Sequence, residues 1–410
     1  MTSLTQARSA IQVKSLKDLR RALEVDFRLI AMIAGIIAVW ICFDALSGGV
    51  FLTPRNLWNL AIQTSVVGIM ATGMVLVIIT RNIDLSVGSV LGFTGMAMAV
   101  LQVRFFPIGA PWNWAASLAC GLALGAAIGA MQGWWVGYRG VPSFIVTLGG
   151  LLIFRGLAWS LTEGQTVAPL DEKFQLMGGG LSGSIGSFWS WVVGAMGVAI
   201  VLARTLMTRR NRQRYGSAVR PVWAELLVAA VSVGAILGFI AIMNAYTRPR
   251  TDLGQGIPIP VLILIGTICA MSALTKLTRF GRYVFAIGGN PDAAQLAGIN
   301  TRLVLMSVFA LMGLLAGLAG AVQTARLNAG ANSTGELLEL SVIAAAVIGG
   351  VSLSGGVGAI SGAIAGAVFM QSLQSGMLLL GLPTPMQNVV IGLVLIVAVW
   401  IDTHHQRRRV

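Results

Sequence analysis

The chain has 410 residues, of which 56% are hydrophobic and only 10% charged, and its formal net charge is +14. Soluble domains carry about 25% charged residues, so this composition excludes an ordinary soluble protein. The three cysteines provide neither a disulfide framework nor a zinc-binding spacing. Apolar runs of about 20 residues, long enough to cross a bilayer, follow one another along the chain. The predicted fold class is therefore an all-α polytopic integral membrane protein.

The apolar runs predict about 10–12 transmembrane helices. A polar N-terminal tail, residues 1–28, precedes them, a basic tail, residues 404–410, follows them, and residues 29–403 form one predicted transmembrane domain. The tenth run, 339–351, is too short to cross alone, so two interpretations remain, a span or a re-entrant segment. The runs are 29–47, 61–80, 86–103, 114–137, 143–162, 188–206, 222–245, 257–275, 303–323, 339–351, 357–380 and 387–401.

Basic residues concentrate on one side of this threading. With the N-terminus in the cytoplasm, 21 of the 28 lysines and arginines fall in inside segments and six in outside segments, and Arg155 lies within a run. This bias is the positive-inside rule. It predicts cytoplasmic termini and explains the positive charge by orientation, without nucleic-acid binding. The basic cytoplasmic loop 204–220 has three interpretations: regulation, binding of anionic membrane lipid, or an anchor of orientation.

Residues 276–302 form a polar island between two apolar runs. Its sequence predicts a short helix, because Asn290 is a good N-cap and Pro291 suits the first helical position. Gly298 can take the left-handed conformation that ends a helix. A short helix held between two spans suits docking of another protein. The alternative interpretation is an ordinary cytoplasmic loop with a surface helix.

Glycines spaced four residues apart predict close helix packing in two runs. A stripe of small residues lets a neighbouring backbone approach. The stripes comprise Gly121, Gly125, Gly129, Gly133 and Gly137 in the fourth run, and Gly358, Gly362 and Gly366 in the eleventh.

Segments 77–92 and 346–362 resemble one another, with Leu85-Ser86 aligned to Leu353-Ser354. Transporters often contain such repeats, with broken helices at the substrate site. The threading places both turns on the same side, which does not support an inverted repeat unless one segment is re-entrant. Chance similarity in an apolar sequence is the alternative.

Chemistry-bearing motifs are scarce. No lysine follows a glycine, so the Gly-Lys-Ser/Thr of a nucleotide-binding loop is missing. The two histidines, His404 and His405, lie in the basic C-terminal tail. The sequence therefore predicts that the protein is not an enzyme and binds no metal.

Charged residues near the membrane interior are functional candidates. Asp84, before the third run, either caps the following helix or contacts substrate. Arg155 is expected to pair with an acid or with carbonyl groups, and Glu336 and Glu339 to complement a helix N-terminus. The candidate pathway residues are Asn82, Asp84, Ser86, Thr147 and Arg155.

Four motifs together resemble the membrane permeases of bacterial monosaccharide ABC importers, the ribose, galactose and xylose type. They are NIDLSVGS (82–89), VPSFIVTLGG with FRG (141–156), FGRYVFAIGGNPDAAQLAGIN (280–300) and VIGGVSLSGGVGAISGAIAGA (347–367). The resemblance runs from about residue 28 to 403. An additional stretch of roughly 190–255 distinguishes this chain from ribose-type permeases and is similar to the D-xylose type.

This resemblance implies an ABC importer permease fold in the bacterial inner membrane. It implies a permease homodimer, a separate ABC ATPase subunit that binds the ATP, and a periplasmic sugar-binding protein, with no cofactor on this chain. The substrate it implies is a monosaccharide, with D-xylose favoured. The residues it assigns to contact with the ATPase are Gly288, Gly289, Asn290, Asp292, Ala293, Ala294 and Gly298. All lie in the polar island 276–302, which we therefore call the coupling loop.

Two other functions are weighed against the ABC permease. An ion-coupled secondary transporter is compatible with twelve runs and a hint of a repeat, but it requires a titrating acid, and Asp84 is the one attractive candidate. A receptor or scaffold without transport is the third hypothesis.

Overall fold

A computed structural model describes residues 27–107, 109–180, 182–216, 220–247 and 253–407. Most of the predicted N-terminal tail, and residues 408–410 of the basic C-terminal tail, lie outside this range. Within it the secondary structure is helical, with a few isolated β-bridges. The described residues form two compact units. The larger comprises 32–184 and 258–407, and the smaller includes 185–257.

Each predicted run outside residues 185–257 corresponds to a helix, whereas the short helices Glu172–Gln175 and Arg279–Gly289 have no predicted run. Residues Leu101–Phe105 continue the helix Val87–Val100 as a π-helical turn, and Leu176–Gly178 continue the helix Glu172–Gln175 as a 3₁₀ turn. The helices are α1 (Phe27–Leu46), α2 (Pro54–Ile79), α3 (Val87–Val100), α4 (Asn113–Gly137), α5 (Ser143–Ser160), α6 (Glu172–Gln175), α9 (Ile259–Leu277), α10 (Arg279–Gly289), α11 (Pro291–Leu296), α12 (Thr301–Leu327), α13 (Leu338–Ile348), α14 (Ile360–Leu379) and α15 (Thr384–Arg407).

The smaller unit is a helical hairpin of α7 (Gly186–Arg214) and α8 (Val222–Ala245). It coincides with the stretch of roughly 190–255 that the sequence marks as additional. The first part of the predicted basic loop 204–220 is helical, because α7 continues to Arg214. No glycine or proline interrupts residues 198–215, so nothing in the sequence stops the helix where the apolar run ends. An ion pair between Arg209 and Glu225 joins the two helices.

The number of apolar helices in the described chain agrees with the prediction of about 10–12. Nine are long and apolar enough to cross a membrane. Three shorter apolar helices, Ile30–Leu46, Leu338–Ile348 and Thr384–Trp400, accompany them. An all-α polytopic fold is therefore confirmed.

The core of the larger unit surrounds α2. Of its most apolar 18-residue stretch, 94% is buried within the chain. Helices α9, α12, α13 and α14 pack around it. Its buried side chains, such as Ile69 and Met74, belong to the main apolar cluster. Protein therefore encloses this central helix along most of its apolar length.

The glycine stripe of α4 packs against α12, as its spacing predicts. A Cβ added at Gly125 would overlap the carbonyl oxygen of Gly313, and one at Gly129 would overlap that of Phe309. A Cβ at Gly137 would meet the carbonyl oxygen of Arg302, so the two helices run antiparallel in near backbone contact. The second stripe behaves alike, since Gly362 lies against the Gly349 carbonyl.

Replacing Gly129 with Ala is expected to destabilise the protein by about 1–3 kcal/mol, since overpacking against a backbone carbonyl forces the helices apart. The matched control is Gly149→Ala in α5, where an added Cβ has nothing within 4 Å. That control should be neutral or stabilising, because Ala is the better helix former. Thermal melting of both variants in detergent measures the difference, and equal melting temperatures would contradict the packing described.

Candidate functional site

The coupling loop contains two helices, α10 and α11. The short helix α11 has the predicted boundaries: Pro291 is its first residue and the Asn290 side chain accepts a hydrogen bond from the Ala293 N–H at 3.0 Å. Gly298 follows with φ +82°. The preceding helix α10 was not predicted. Its first turn is capped by the Thr278 hydroxyl, which accepts from the Gly281 N–H.

Helix α11 presents one exposed face and one buried face. Asp292 and Ala293 are exposed, together with Asn290, Gly289 and Gly298. Leu296 is 90% exposed, so this face carries an apolar side chain that sequence reasoning did not single out. Ala294 is 4% exposed and packs in the main apolar cluster, and Gly288 is also buried. Ala294 and Gly288 were both predicted to contact the ATPase. Because they are buried, they pack against the rest of the larger unit and do not form the exposed surface.

Arg81 ties the coupling loop to the segment that follows α2. Its guanidinium donates from Nε to the Gly288 carbonyl at 2.9 Å and from Nη2 to the Gly289 carbonyl at 2.7 Å. These carbonyls are at the C-terminal end of α10, where a cation is favourable. Arg81 itself has φ +63°, a left-handed conformation uncommon for a non-glycine residue.

The glycine turn after α13 joins the same junction. The Gly356 N–H donates to the Ile79 carbonyl at 3.0 Å. A Cβ on Gly288 would overlap that carbonyl, so only glycine fits there. Segments 77–92 and 346–362 resemble one another in sequence. The contact between Ile79 and Gly356 brings their turns to the same end of the larger unit, as the threading predicts. We call this the coupling end.

Between α2 and α3 the chain is not helical, and side chains hold it in place. Asp84 is 2% exposed, and its Oδ1 accepts from the Ser86 N–H at 2.8 Å and the Ser86 hydroxyl at 2.6 Å. The same hydroxyl oxygen accepts a hydrogen bond at 2.9 Å from the side-chain amide of Gln132 in α4. Asp84 therefore orders the turn into α3. The capping interpretation is modified, because the carboxylate bonds Ser86, the residue before the helix, and not the first N–H groups of α3.

Two other predicted pathway residues secure the same segment. The Thr147 hydroxyl bonds the Ser143 carbonyl of its own helix at 2.8 Å and lies 3.3 Å from the Ile83 carbonyl. Asn82 bonds locally, from its amide to the Thr80 carbonyl. Gln132 is the member of this group that sequence reasoning missed. The signal in the sequence is a polar amide among the glycines and apolar residues of the fourth run.

A second interruption precedes α13. Residues 328–337 are irregular and run back along α3, with Gly330 against Met96 and Ala99. Arg155 of α5 donates from Nη1 to the Asn332 and Thr334 carbonyls, each at 3.0 Å. The prediction that Arg155 pairs with an acid or with carbonyls is thus resolved in favour of carbonyls. Helix α13 is about 16 Å long, so it covers about half of a 30 Å hydrocarbon core.

The two interruptions meet where α3 and α13 begin, and we call this place the crossing (residues 84–92 and 332–339). Gly88 lies against the Gly335 carbonyl and the Glu339 carboxylate, and Gly92 lies against the Thr334 carbonyl. Gly335 has φ +79° and contacts the Gly88 carbonyl in turn. Glycines thus let two interrupted segments touch backbone to backbone. Glu339 lies at the N-terminus of α13, as the sequence predicts.

A cavity of about 650 Å³ lies at the other end of the larger unit, beside the C-terminus of α12. Its lining is rich in polar side chains, among them Glu172, Lys173, Gln175, Arg326 and Asn328. Helix α12 connects this end to the coupling loop over 27 residues, about 40 Å. The larger unit thus has a polar opening at one end and the exposed helix α11 at the other, with the crossing between them.

Residues 56–399 match the family model described as branched-chain amino acid transport system / permease component. The chain belongs to this permease family. It is similar to the xylose transport system permease protein of Haemophilus influenzae, 40% identical over 94% of this chain and 98% of the relative.

The ribose import permease protein of Escherichia coli is 34% identical over 87% of this chain and 88% of its own length. The L-arabinose ABC transporter permease protein of Azospirillum brasilense is 31% identical over 92% and 89%. No solved structure matches significantly. The predicted membership among the permeases of monosaccharide ABC importers is confirmed, so the elements above are parts of a sugar permease.

Replacing Arg81 with Ala removes both bonds to the end of α10. We expect a loss of about 1–2 kcal/mol, because hydrogen bonds from a charged donor are the stronger ones and one of these is solvent-exposed. Faster amide hydrogen exchange across residues 279–298 should accompany it. The control is Arg282→Ala, an exposed arginine on α10 itself. Equal exchange in the two variants would show that Arg81 does not secure the coupling loop.

Proposed function

We propose that this permease imports D-xylose across the bacterial inner membrane, driven by ATP hydrolysis on a separate ABC ATPase subunit. A periplasmic sugar-binding protein delivers the sugar, and two copies of the permease form the complete channel. Both termini are cytoplasmic, and the coupling end faces the cytoplasm. The chain itself needs no cofactor.

The observation that carries this proposal is the exposed face of α11. This helix of about two turns carries the 90% exposed Leu296 on one face and the buried Ala294 on the other. Two hydrogen bonds from Arg81 secure the end of the preceding helix α10. Such a surface suits a soluble protein that pushes or pulls on the membrane domain. The sequence has no nucleotide-binding loop of its own, which is consistent with an ATPase on another chain.

Two observations favour xylose as the substrate. A relative named as a xylose permease is 40% identical to this chain over 98% of its own length. The additional stretch noted in the sequence corresponds to the separate α7–α8 hairpin. The polar cavity beside α12 lies at the end where a periplasmic protein would release its sugar, and its amide and charged groups suit hydroxyl recognition.

The test is reconstitution of the permease with its ATPase and binding protein in proteoliposomes. Uptake of D-xylose should require ATP and persist when an uncoupler collapses ion gradients. Uptake driven by a proton or sodium gradient alone would instead establish the secondary transporter. Uptake of another monosaccharide in preference to xylose would keep the ABC mechanism and replace the substrate.

Replacing Leu296 with Ser should weaken co-purification of the ATPase at least tenfold and reduce ATP-driven uptake in proportion. Folding should be unaffected, since a substitution at an exposed position changes stability by about 0.5 kcal/mol or less. The control is Leu253→Ser, an exposed leucine of the α7–α8 hairpin region. Normal ATPase binding by the Leu296 variant would place the docking surface elsewhere.

Adjacent alanines of α11 separate docking from folding. Ala293→Arg should abolish coupling and leave the protein folded, because Ala293 is exposed. Ala294→Arg should lower the yield of folded protein, because it forces a charge into the apolar cluster. Size-exclusion profiles and ATPase pull-down measure both effects. Identical behaviour of the two variants would contradict the orientation of this helix.

Asp84→Asn distinguishes the two transport mechanisms. The asparagine carbonyl can still accept both hydrogen bonds from Ser86, so an ABC permease should lose about 1 kcal/mol or less and retain ATP-driven uptake. A transporter that moves protons through Asp84 would lose gradient-driven uptake altogether. Initial uptake rates under the two driving forces provide the comparison.

A further inference from the structure

Polar atoms without a hydrogen-bond partner concentrate at the crossing. Among the described residues, five buried side-chain atoms on the two segments of the crossing lack a hydrogen-bond partner: Ser89 Oγ, both amide atoms of Asn332, Thr334 Oγ1 and Glu339 Oε2. Ser89 is 1%, Glu339 5% and Thr334 6% exposed. Native interiors satisfy most of their polar groups, so a cluster of unsatisfied ones calls for an explanation in terms of a ligand, water or strain.

The position of these atoms points to a ligand. They lie where α3, of 14 residues, and α13, of 11 residues, both begin. Transporters often form their substrate sites at such helix interruptions near the middle of the membrane. The unpartnered groups include hydroxyls, an amide and a carboxylate oxygen. Between them they both donate and accept hydrogen bonds, as the recognition of alcohol groups requires.

The charges around the crossing nearly balance. Two helix N-termini and Arg155 contribute positive potential, and the carboxylates of Asp84 and Glu339 oppose it. A bare cation would be repelled by the two helix N-termini, and an anion would be repelled by the two carboxylates. A neutral molecule with many hydroxyl groups meets neither obstacle.

We propose that the crossing is a binding station for the hydroxyl groups of a neutral polyhydroxylated substrate, closed in the present conformation. The inference rests on the proposed sugar import and adds its contact residues: Ser89, Asn332, Thr334 and Glu339. Gly88 and Gly335 touch through their backbones and shut the station. When the two segments separate, the unpartnered groups form hydrogen bonds with sugar hydroxyls, and these bonds stabilise the open conformation.

The connection to the coupling end is short. Arg81, which bonds the end of α10, lies three residues before Asp84 and five before Ser86. A displacement of the coupling loop by the ATPase therefore reaches the start of α3 through a few residues. Residues 349–359, bonded to Ile79 through Gly356, give α13 a similar link.

The test uses Thr334→Val, which exchanges the hydroxyl for a methyl group of nearly the same shape. In the closed conformation this hydroxyl has no partner, so thermal stability should be unchanged or raised. Uptake of D-xylose by the reconstituted transporter should nevertheless fall about five- to tenfold in kcat/KM, the effect of one lost hydrogen bond. The control is Thr72→Val in α2, whose buried hydroxyl bonds its own helix at Ile69 and whose uptake per folded molecule should match wild type.

Deoxy analogues of the sugar identify the interaction. Removing the hydroxyl that contacts Thr334 should slow wild-type uptake but have little further effect in the valine variant, because the two changes delete one interaction. Additive losses for every analogue, or undiminished uptake by Thr334→Val, would overturn the inference and indicate bound water only. Ser89→Ala gives the same comparison if the first variant does not fold. Wild-type uptake without ATP dependence would instead refute the proposed function itself.

Discussion

A bilayer interior offers no hydrogen bonds to peptide groups, and this constraint governs the central part of the molecule. Two non-helical segments, before α3 and before α13, carry buried residues and pack against each other within the larger unit. Arg155 donates to two carbonyls of the second interruption, and Asp84, Ser86 and Gln132 secure the first. Without these side chains each interruption would leave bare backbone in an apolar medium.

Glycine makes the interruptions compatible with tight packing. At Gly88, Gly92 and Gly335 the absence of a side chain lets one irregular segment lie on another. The stripe on α4 works on the same principle along a whole helix, where backbone meets the backbone of α12. Because lipid supplies little hydrophobic drive between helices, such contacts give the bundle much of its cohesion.

The coupling loop is held by the same class of contact. Arg81 bonds carbonyl groups at the end of α10, and Gly288 lies against the Ile79 carbonyl. These contacts attach α10, and with it α11, to the end of the central helix α2. Through these contacts α11 is connected to the end of α2 and to the segment that leads to α3. This arrangement suits a permease whose energy source is a separate protein.

The sequence by itself determined the helical class, the bounds of nearly every span, the short helix at Asn290–Gly298 and the glycine stripes. These follow from local rules: apolar length, capping chemistry and four-residue spacing. The family and sugar class also followed, since the motifs near 82, 280 and 347 are specific. Local rules likewise predicted that Arg155 would need carbonyls or an acid.

Only the tertiary structure decided which residues meet. The contacts of Gln132 with Ser86, of Arg81 with the end of α10, of Glu339 with Gly88 and of Thr334 with Gly92 join residues 46 to 251 positions apart. No local pattern encodes such a pairing. Burial also divided Ala293 from Ala294, which are equivalent in sequence. The orientation of a two-turn helix depends on what lies behind it, and that is a property of the packed bundle.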